Sequence, residues 1–549
     1  MRPCSNVVAV RGKSDIEQLR AKLMAGTLTS RELVERYLAR IDELDRTGPR
    51  LNSIMEINPD ALAIAERLDH ERRQESHGLM YGIPVLLKDN IDTHDGMLTT
   101  AGSLALVGSR PQQDAFIVKR LRRAGAVILG KTNMSEWANG RSTHGIAGWS
   151  ARGGLTRNAY ASERSAGGSS SGSAVAIAAG LATVAVGTET DGSLVSPAAM
   201  NGIVAIKPTV GLVSRSGIVP LSNSQDTPGA MARSVADATL LLSVLAGYDP
   251  NDPATLPMRN RPASGFIAEL REGGLRGARV GVARNLQGSN LNVRRLLDEA
   301  ITRLRAAGAV VVDPVTLEGN ETILSETSKK LRFEIKDGLN RYLADRDGGP
   351  RSLAELIAFN ERERMREMPY FGQEVFLWAE RGKPLTRQEY QDLRDHLATA
   401  AGPRGIDAVL KKHELDAIIA PTTGPAWAVD VVGGDHPEGG DASTLPAIAG
   451  YPLITVPAGF VDGLPIGLSF IGTAWSESTL IRLAFDFERV SRARERFNSP
   501  VTGRVRKRAR DVHGCRQAAY PKATCRDATR IAPATAVALP TPALREPAK

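Results

Sequence analysis

Two segments rich in glycine and serine bracket a small-residue run: Ala166-Gly-Gly-Ser-Ser-Ser-Gly-Ser173, then residues 174–181, then Val184-Ala-Val-Gly-Thr-Glu-Thr-Asp-Gly-Ser193. One such cluster alone reads as a flexible loop. Two of them around a helix of small residues imply more, because small side chains let backbones approach and a loop opening a helix offers free N–H groups to an anion. A serine hydroxyl there needs a base. None of the eight histidines stands in an H-E-x-x-H or similar spacing, so each reads as a surface or structural residue. A lysine can serve when burial destabilises its charged form. Lys88 ends the apolar run Gly82-Ile-Pro-Val-Leu-Leu-Lys88, which places it at the carboxyl edge of a buried strand, where α/β sites lie. An ion pair of Lys88 with Asp89 or Asp92 is the competing structural reading, and spacing alone leaves both open.

Two motif matches lack the context that their chemistry requires. Gly125-Ala-Val-Ile-Leu-Gly-Lys-Thr132 fits the phosphate-loop pattern, but its four intervening residues are an apolar strand whose amides belong to a sheet ladder, not to a phosphate cradle. Gly168-Ser-Ser-Ser-Gly172 fits the G-x-S-x-G nucleophile elbow with Ser170 at its centre. An elbow follows a strand, whereas Ser162-Glu-Arg-Ser-Ala166 is polar, so an α/β-hydrolase is only a weak alternative. The three cysteines, Cys4, Cys515 and Cys525, sit near the two ends of the sequence and form neither a disulfide framework nor a thiolate metal site.

These residues need a rigid scaffold, and the sequence describes one. Short apolar runs bounded by glycine and proline, at 83–87, 126–129, 183–186 and 204–206, read as strands buried on both faces. A second α/β stretch spans 278–315, and the sheet pattern resumes at 417–420, 454–456 and 466–471. Amphipathic helices are expected over 15–45 and from Glu477 to about Arg494. Residues from about 321 to 410 are helical and charge-rich, an insertion over the sheet. The expected fold is therefore α/β: one large domain over residues 1–499 with a mixed central sheet covered by helices on both faces.

The formal charge of +9 suggests nucleic acid or membrane until it is located. Residues 500–549 hold eleven Lys/Arg against three Asp/Glu, which leaves a balance of only +1 for residues 1–499. The basic character belongs to an Ala/Pro-rich tail with no apolar period, expected to be disordered. With 42% hydrophobic residues and no apolar stretch of membrane-spanning length or signal-peptide block, a cytoplasmic protein is expected.

The motifs together resemble a known family. Gly-Ile-Pro-Val-Leu-Leu-Lys88-Asp-Asn, Gly-Lys-Thr-Asn133-Met-Ser-Glu-Trp-Ala138, Gly167-Gly-Ser169-Ser170, Gly-Thr-Glu-Thr-Asp-Gly-Ser193 and Ile206-Lys-Pro-Thr209 look like the amidase signature family over about 15–494, with its two catalytic serines 24 residues apart. The resemblance implies a Ser-cisSer-Lys triad: Ser193 as nucleophile, Ser169 as proton relay and Lys88 as general base. It implies backbone donors at Thr190, Asp191 and Gly192 for the oxyanion, an acyl-enzyme, and no metal or organic cofactor. Most members carry glycine where Asp191 stands and arginine where Val195 stands. This version, with Phe333-Glu-Ile-Lys and Pro369-Tyr-Phe-Gly-Gln373 in the insertion, resembles the peptide-amidase branch, whose members deamidate C-terminal peptide amides. Asp191 could order the loop or meet a polar substrate group, or simply cap the local turn. The insertion around Phe333 and 369–373 is expected to cover one side of the site.

Rival readings remain distinct. A glutamine-hydrolysing A subunit of a transfer-RNA amidotransferase belongs to the same family, but needs partner subunits and the arginine absent at Val195. A fatty-acid amide hydrolase is expected to offer a membrane-inserting apolar helix. Nucleic-acid binding would rest on Arg504-Val-Arg-Lys-Arg-Ala-Arg510 alone, with no interleaved aromatic beyond Tyr520. The expected partner is a small amide or peptide amide, without a membrane, nucleic acid or obligate protein subunit. Truncation after Asn498 is predicted to preserve amide hydrolysis and to keep Tm within about 2 °C; a larger loss in a melting and activity comparison would show that the tail packs on the body.

Overall fold

The computed structural model describes residues 14–72, 78–261, 263–318, 321–382, 385–495 and 497. The tail expected at 500–549 lies outside them. In chain order the strands are β1 (Ile54–Ile57), β2 (Pro84–Lys88), β3 (Val127–Thr132), β4 (Trp149–Ser150), β5 (Gly154–Leu155), β6 (Val184–Glu189), β7 (Val204–Lys207), β8 (Thr227–Ala232), β9 (Arg279–Ala283), β10 (Val310–Val315), β11 (Ala417–Pro421), β12 (Leu453–Val461) and β13 (Leu464–Ile471). Eleven of them form one sheet in the order β1-β3-β2-β6-β8-β7-β12-β13-β11-β9-β10, and β4 and β5 pair separately. β3, β2 and β6 run parallel, as do β11, β9 and β10, while the strands between them pair antiparallel. The sheet is mixed, as the sequence indicates.

Every residue of β2, β3 and β6 is buried. Successive strand side chains point to opposite faces, so full burial without alternation means that both faces are covered. The helix Ser171–Ala178 is buried throughout and built from small residues, and Val235–Leu245 is apolar and buried on all sides. An outer helix such as Leu291–Ala306 buries only the stripe Val293, Leu296, Leu297, Ala300, Ile301 and Leu304. The phosphate-loop match resolves into sheet: residues 127–132 are β3, and Lys131 is buried with its Nζ donating to Thr99 Oγ1 at 2.8 Å.

The strand β8 carries little strand propensity, with Thr227-Pro-Gly-Ala-Met-Ala232. Crowding selects those residues, since a Cβ on Gly229 would stand 2.4 Å from both Ile206 O and Leu194 Cδ1. The insertion contains the helices Glu321–Ala344, Leu353–Arg362, Arg364–Glu367, Glu374–Arg381 and Arg387–Ala401. It builds a second core in which Ile335, Leu339, Leu343, Leu356 and Phe376 pack with Leu106, Met134 and Trp137.

A buried charge cluster locks the insertion to the body. Arg141, 1% exposed, contacts Glu136 Oε1 at 2.5 Å and donates to the Glu367 main-chain oxygen at 2.8 Å. Glu367 Oε1 in turn accepts from Leu104 N at 2.6 Å and Ser103 Oγ at 3.0 Å. The Arg141 guanidinium lies 4.6 Å from the Phe371 ring. Removing one member of such a cluster strands the others without a partner. Arg141→Met is therefore predicted to destabilise the protein by about 3–5 kcal/mol, read as a Tm lowered by several degrees; an unchanged Tm would contradict this role.

Candidate active site

Lys88 is the last residue of β2, and β6 runs parallel beside it with Leu87 opposite Val186. The chain therefore leaves two adjacent parallel strands at the same carboxyl edge, the Lys88-Asp-Asn turn on one side and residues 190–193 on the other. The third element is the turn before the helix Ser171–Ala178. Gly167 has φ +67°, and a Cβ there would meet Pro197 Cα at 2.9 Å. A Cβ on Gly168 would meet Ser135 Oγ at 2.3 Å. The Gly168–Ser169 peptide is cis. Main-chain hydrogen bonds tie this turn to its neighbours: Ser135 N, beyond β3, donates to Ser169 O and Ser170 N to Ser193 O, each at 3.1 Å.

These turns bring the three sequence-predicted residues together. Lys88 is fully buried, Ser169 is 1% exposed and Ser193 is 7% exposed. Lys88 Nζ lies 2.7 Å from Ser169 Oγ, 2.9 Å from Thr188 Oγ1 and 3.2 Å from Thr188 O. Ser169 and Ser193 line the same cleft of about 690 Å³ together with Thr190, Asp191 and Gly192. Ser170 does not take the elbow role, because its hydroxyl donates to Thr188 O at 3.0 Å and accepts from Thr188 N at 3.2 Å.

Burial pushes the Lys88 amine down to about 7, against smaller upward pulls from Asp226 and Glu189. The alternative pairing with Asp89 or Asp92 does not occur. Asp89 accepts from Thr100 Oγ1, Gly102 N and Arg152, and Asp92 from Tyr342 and Arg346. Three other lysines are also fully buried among the described residues, yet Lys131 serves Thr99, Lys207 donates to Tyr451 O at 2.6 Å and Lys330 donates to Gln225 Oε1 at 2.6 Å. Of the four, Lys88 is the one bonded to a serine of the cleft, so this arrangement can pass a proton from a hydroxyl to an amine that burial lowers to about 7.

The sequence profile of the Amidase family matches residues 32–481. The chain belongs to the amidase signature family. It is an amide-hydrolysing enzyme of the α/β amidase fold. A probable amidase of Arabidopsis thaliana is 42% identical over 502 residues, covering 88% of this chain and 91% of that one. The native peptide amidase of Stenotrophomonas maltophilia superposes with a TM-score of 0.84 at 50% identity, over 89% of this chain and 99% of that one. The A subunit of a glutamyl-tRNA(Gln) amidotransferase from Symbiobacterium thermophilum is 36% identical over 490 residues, 87% of this chain and 97% of that one.

Further polar residues shape the amidase cleft, and of these Asp441, Ser443 and Thr444 carry no sequence signal of their own. Glu189 Oε2 accepts from Leu194 N at 2.8 Å and Val195 N at 3.1 Å, which pins the turn bearing Ser193. Asp191 does more than cap a turn. Ser443 Oγ lies 2.8 Å from Asp191 Oδ1 and 2.7 Å from Asp441 Oδ1, and Thr444 Oγ1 lies 2.9 Å from Asp191 Oδ2 and 2.6 Å from Asp441 Oδ2. Each hydroxyl has one proton for two carboxylates, so two of these four contacts lack a proton when both carboxyls are ionised. Asp191 is exposed to the cleft, and the surrounding protein together with the Asp441 charge raises its carboxyl above the usual range.

The insertion lines the cleft through other residues than Phe333 and 369–373. Leu331, Arg332 and Ile335 reach it, with Val375 and Trp378 from the helix Glu374–Arg381. Phe333 points away at helical spacing, stacks on Tyr390 at 4.7 Å and lines a separate cavity of about 1000 Å³. Tyr370 and Phe371 pack edge-on against Trp149. The larger cavity contains none of Lys88, Ser169 and Ser193, so size does not identify the site.

Ser193→Ala is predicted to cut amide hydrolysis below about one part in a thousand with Tm preserved; clear residual turnover would assign the nucleophile elsewhere. With Lys88 as the expected base, its neutral form would be the active one, so kcat/KM is predicted to rise with pH through about 7. Lys88→Arg is predicted to be inactive, since guanidinium stays protonated. A pH–rate profile flat from about 5.5 to 8.5 would contradict the assignment.

Proposed function

We propose that the enzyme releases ammonia from C-terminal peptide amides through Ser193, Ser169 and Lys88. The observation that carries the chemistry is the 2.7 Å contact between the buried Lys88 amine and Ser169 Oγ at the floor of the cleft. Neutral Lys88 takes the Ser169 proton while Ser169 takes that of Ser193, and Ser193 Oγ bonds to the carbonyl carbon. Backbone N–H groups of Thr190, Asp191 and Gly192 would receive the oxyanion, each donor typically worth about 3 kcal/mol. Glu189 also draws on Gly192 N–H, so Gly192 is the most contested of the three. The C–N bond then breaks as the proton held on Lys88 returns through Ser169 to the leaving nitrogen. The reverse proton path activates the water that cleaves the acyl-enzyme to carboxylate.

The substrate class rests on the 50% identity to the peptide amidase and on the size and lining of the cleft. About 690 Å³ is ample for a peptide terminus. Its wall offers Leu331, Ile335, Val375, Trp378 and Trp427, with the Arg332 guanidinium 4.8 Å from the Trp378 ring. These groups touch what lies beyond the carboxamide, and contacts remote from the reacting carbon raise kcat/KM when they orient it. Such contacts do not exist for acetamide. The reading as an amidotransferase component has lower identity behind it and lacks arginine at Val195.

In an ammonia-release screen, dipeptide or tripeptide amides are predicted to exceed acetamide in kcat/KM, by on the order of tenfold for each 1.4 kcal/mol realised in the transition state. Internal peptide bonds are predicted to be spared. Equal rates on acetamide and peptide amides, or glutamine hydrolysis only when a partner protein is added, would overturn the substrate class while leaving the triad chemistry intact.

A further inference from the structure

The hydrogen bonds around Lys88 leave one proton unaccounted for, and it belongs to Thr188. Unprotonated, the Lys88 amine has two N–H groups and one lone pair for its three contacts, Ser169 Oγ, Thr188 Oγ1 and Thr188 O. The carbonyl oxygen can only accept, so it takes one N–H. The other N–H and the lone pair fall to the two hydroxyls. Proton transfer from Ser169 requires the lone pair to face Ser169, and Thr188 Oγ1 must then accept from Lys88. Once Lys88 is protonated it has three N–H groups, and Thr188 Oγ1 must again accept. Through the whole cycle the Thr188 proton has to point away from Lys88; pointing at Lys88 it would occupy the lone pair and idle the base.

The group beside that hydroxyl is Asn90, 3% exposed in the turn after β2. Its amide reaches Thr188 Oγ1 through Nδ2 at 3.0 Å. Its Oδ1 is buried and has no hydrogen-bond partner among the described residues. A half-turn of the amide exchanges the two atoms in the same space. Oδ1 then gains the Thr188 proton as its partner, Nδ2 takes the buried position that Oδ1 held, and a Thr188 lone pair is left for Lys88.

We propose that Asn90 is a positioning residue that holds the Thr188 hydroxyl proton on its Oδ1 and so aims the Lys88 lone pair at Ser169. The inference rests on Lys88 being the base. The main chain fixes Asn90 for the task, since Ile91 N donates to Lys88 O at 3.0 Å and Val219 N to Asn90 O at 2.9 Å. The charged groups acting on Lys88 are Asp226 and Glu189, and the Asn90→Leu and Thr188→Val substitutions leave both in place.

The test compares Asn90→Leu, Asn90→Asp and Thr188→Val on one peptide amide by kcat, KM and pH profile, with Tm as the check on folding. Asn90→Leu, which fills the space without an acceptor, is expected to lower kcat by on the order of tenfold with KM nearly unchanged. Asn90→Asp keeps an acceptor at the same place. It is expected to recover most of kcat at high pH, with the acid limb moved up by about one pH unit because the added carboxylate stabilises protonated Lys88. Thr188→Val is expected to reproduce the Asn90→Leu loss, and the double variant Asn90→Leu/Thr188→Val to lose no more than either alone. Unchanged kcat in Asn90→Leu, additive losses in the double variant, or Asn90→Asp as slow as Asn90→Leu at every pH would overturn the proposal. If Asn90→Leu does not fold, Asn90→Asp and Thr188→Val decide it by the same criteria. Lys88→Met in the same assay separates the two layers: retained activity there removes the base itself, whereas loss there with unaffected Asn90 variants removes only the positioning role.

Discussion

An amine taken out of water without a carboxylate in contact gives up its charge near neutral pH, and that constraint organises the site. Lys88 is fully buried and touches only a serine hydroxyl, a threonine hydroxyl and a main-chain carbonyl among the described residues. Burial outweighs the pull of the more distant Asp226 and Glu189 carboxylates. The neighbouring acids are kept occupied: Asp226 receives Thr190 Oγ1 and the Leu221 and Ser222 amides, and Glu189 receives the amides of Leu194 and Val195. Either acid in contact with the amine would restore its charge and abolish its use as a base.

The sheet supplies the rest of the geometry. Two parallel strands, β2 and β6, end side by side and deliver Lys88 and the turn of Ser193 to one edge. The small-residue helix Ser171–Ala178 packs closely enough to hold Ser169 between them. Part of the apolar wall of the cleft comes from the insertion, which the buried Arg141, Glu136 and Glu367 cluster clamps to the body. The Lys88, Ser169 and Ser193 cluster and the insertion side of the cleft therefore sit on separate layers.

Much of this is legible in the sequence, and the illegible part has a physical pattern. Strands buried on both faces announce themselves as apolar runs, so 83–87, 126–129, 183–186 and 204–206 locate β2, β3, β6 and β7 to within a few residues. β8 escapes because crowding against Ile206 and Leu194 replaced strand-forming residues with glycine and alanine. Lys88, Ser169 and Ser193 stand out because each lies in a local motif. Asp441, Ser443 and Thr444 reach Asp191 from some 250 positions along the chain, and no local pattern marks them. The insertion's role is visible from composition, but which helix face meets the cleft depends on docking, so Leu331 and Arg332 line it where Phe333 does not.

The charge state of Lys88 can be measured on the amine itself. With lysine labelled at 15N, the Nζ resonance of Lys88, assigned by its disappearance in Lys88→Met, can be followed as a function of pH in the resting enzyme. A midpoint near 7 is expected, with the amine neutral above it. A midpoint near the ordinary lysine value of about 10.4 would contradict it, because a base protonated at every working pH cannot accept the Ser169 proton.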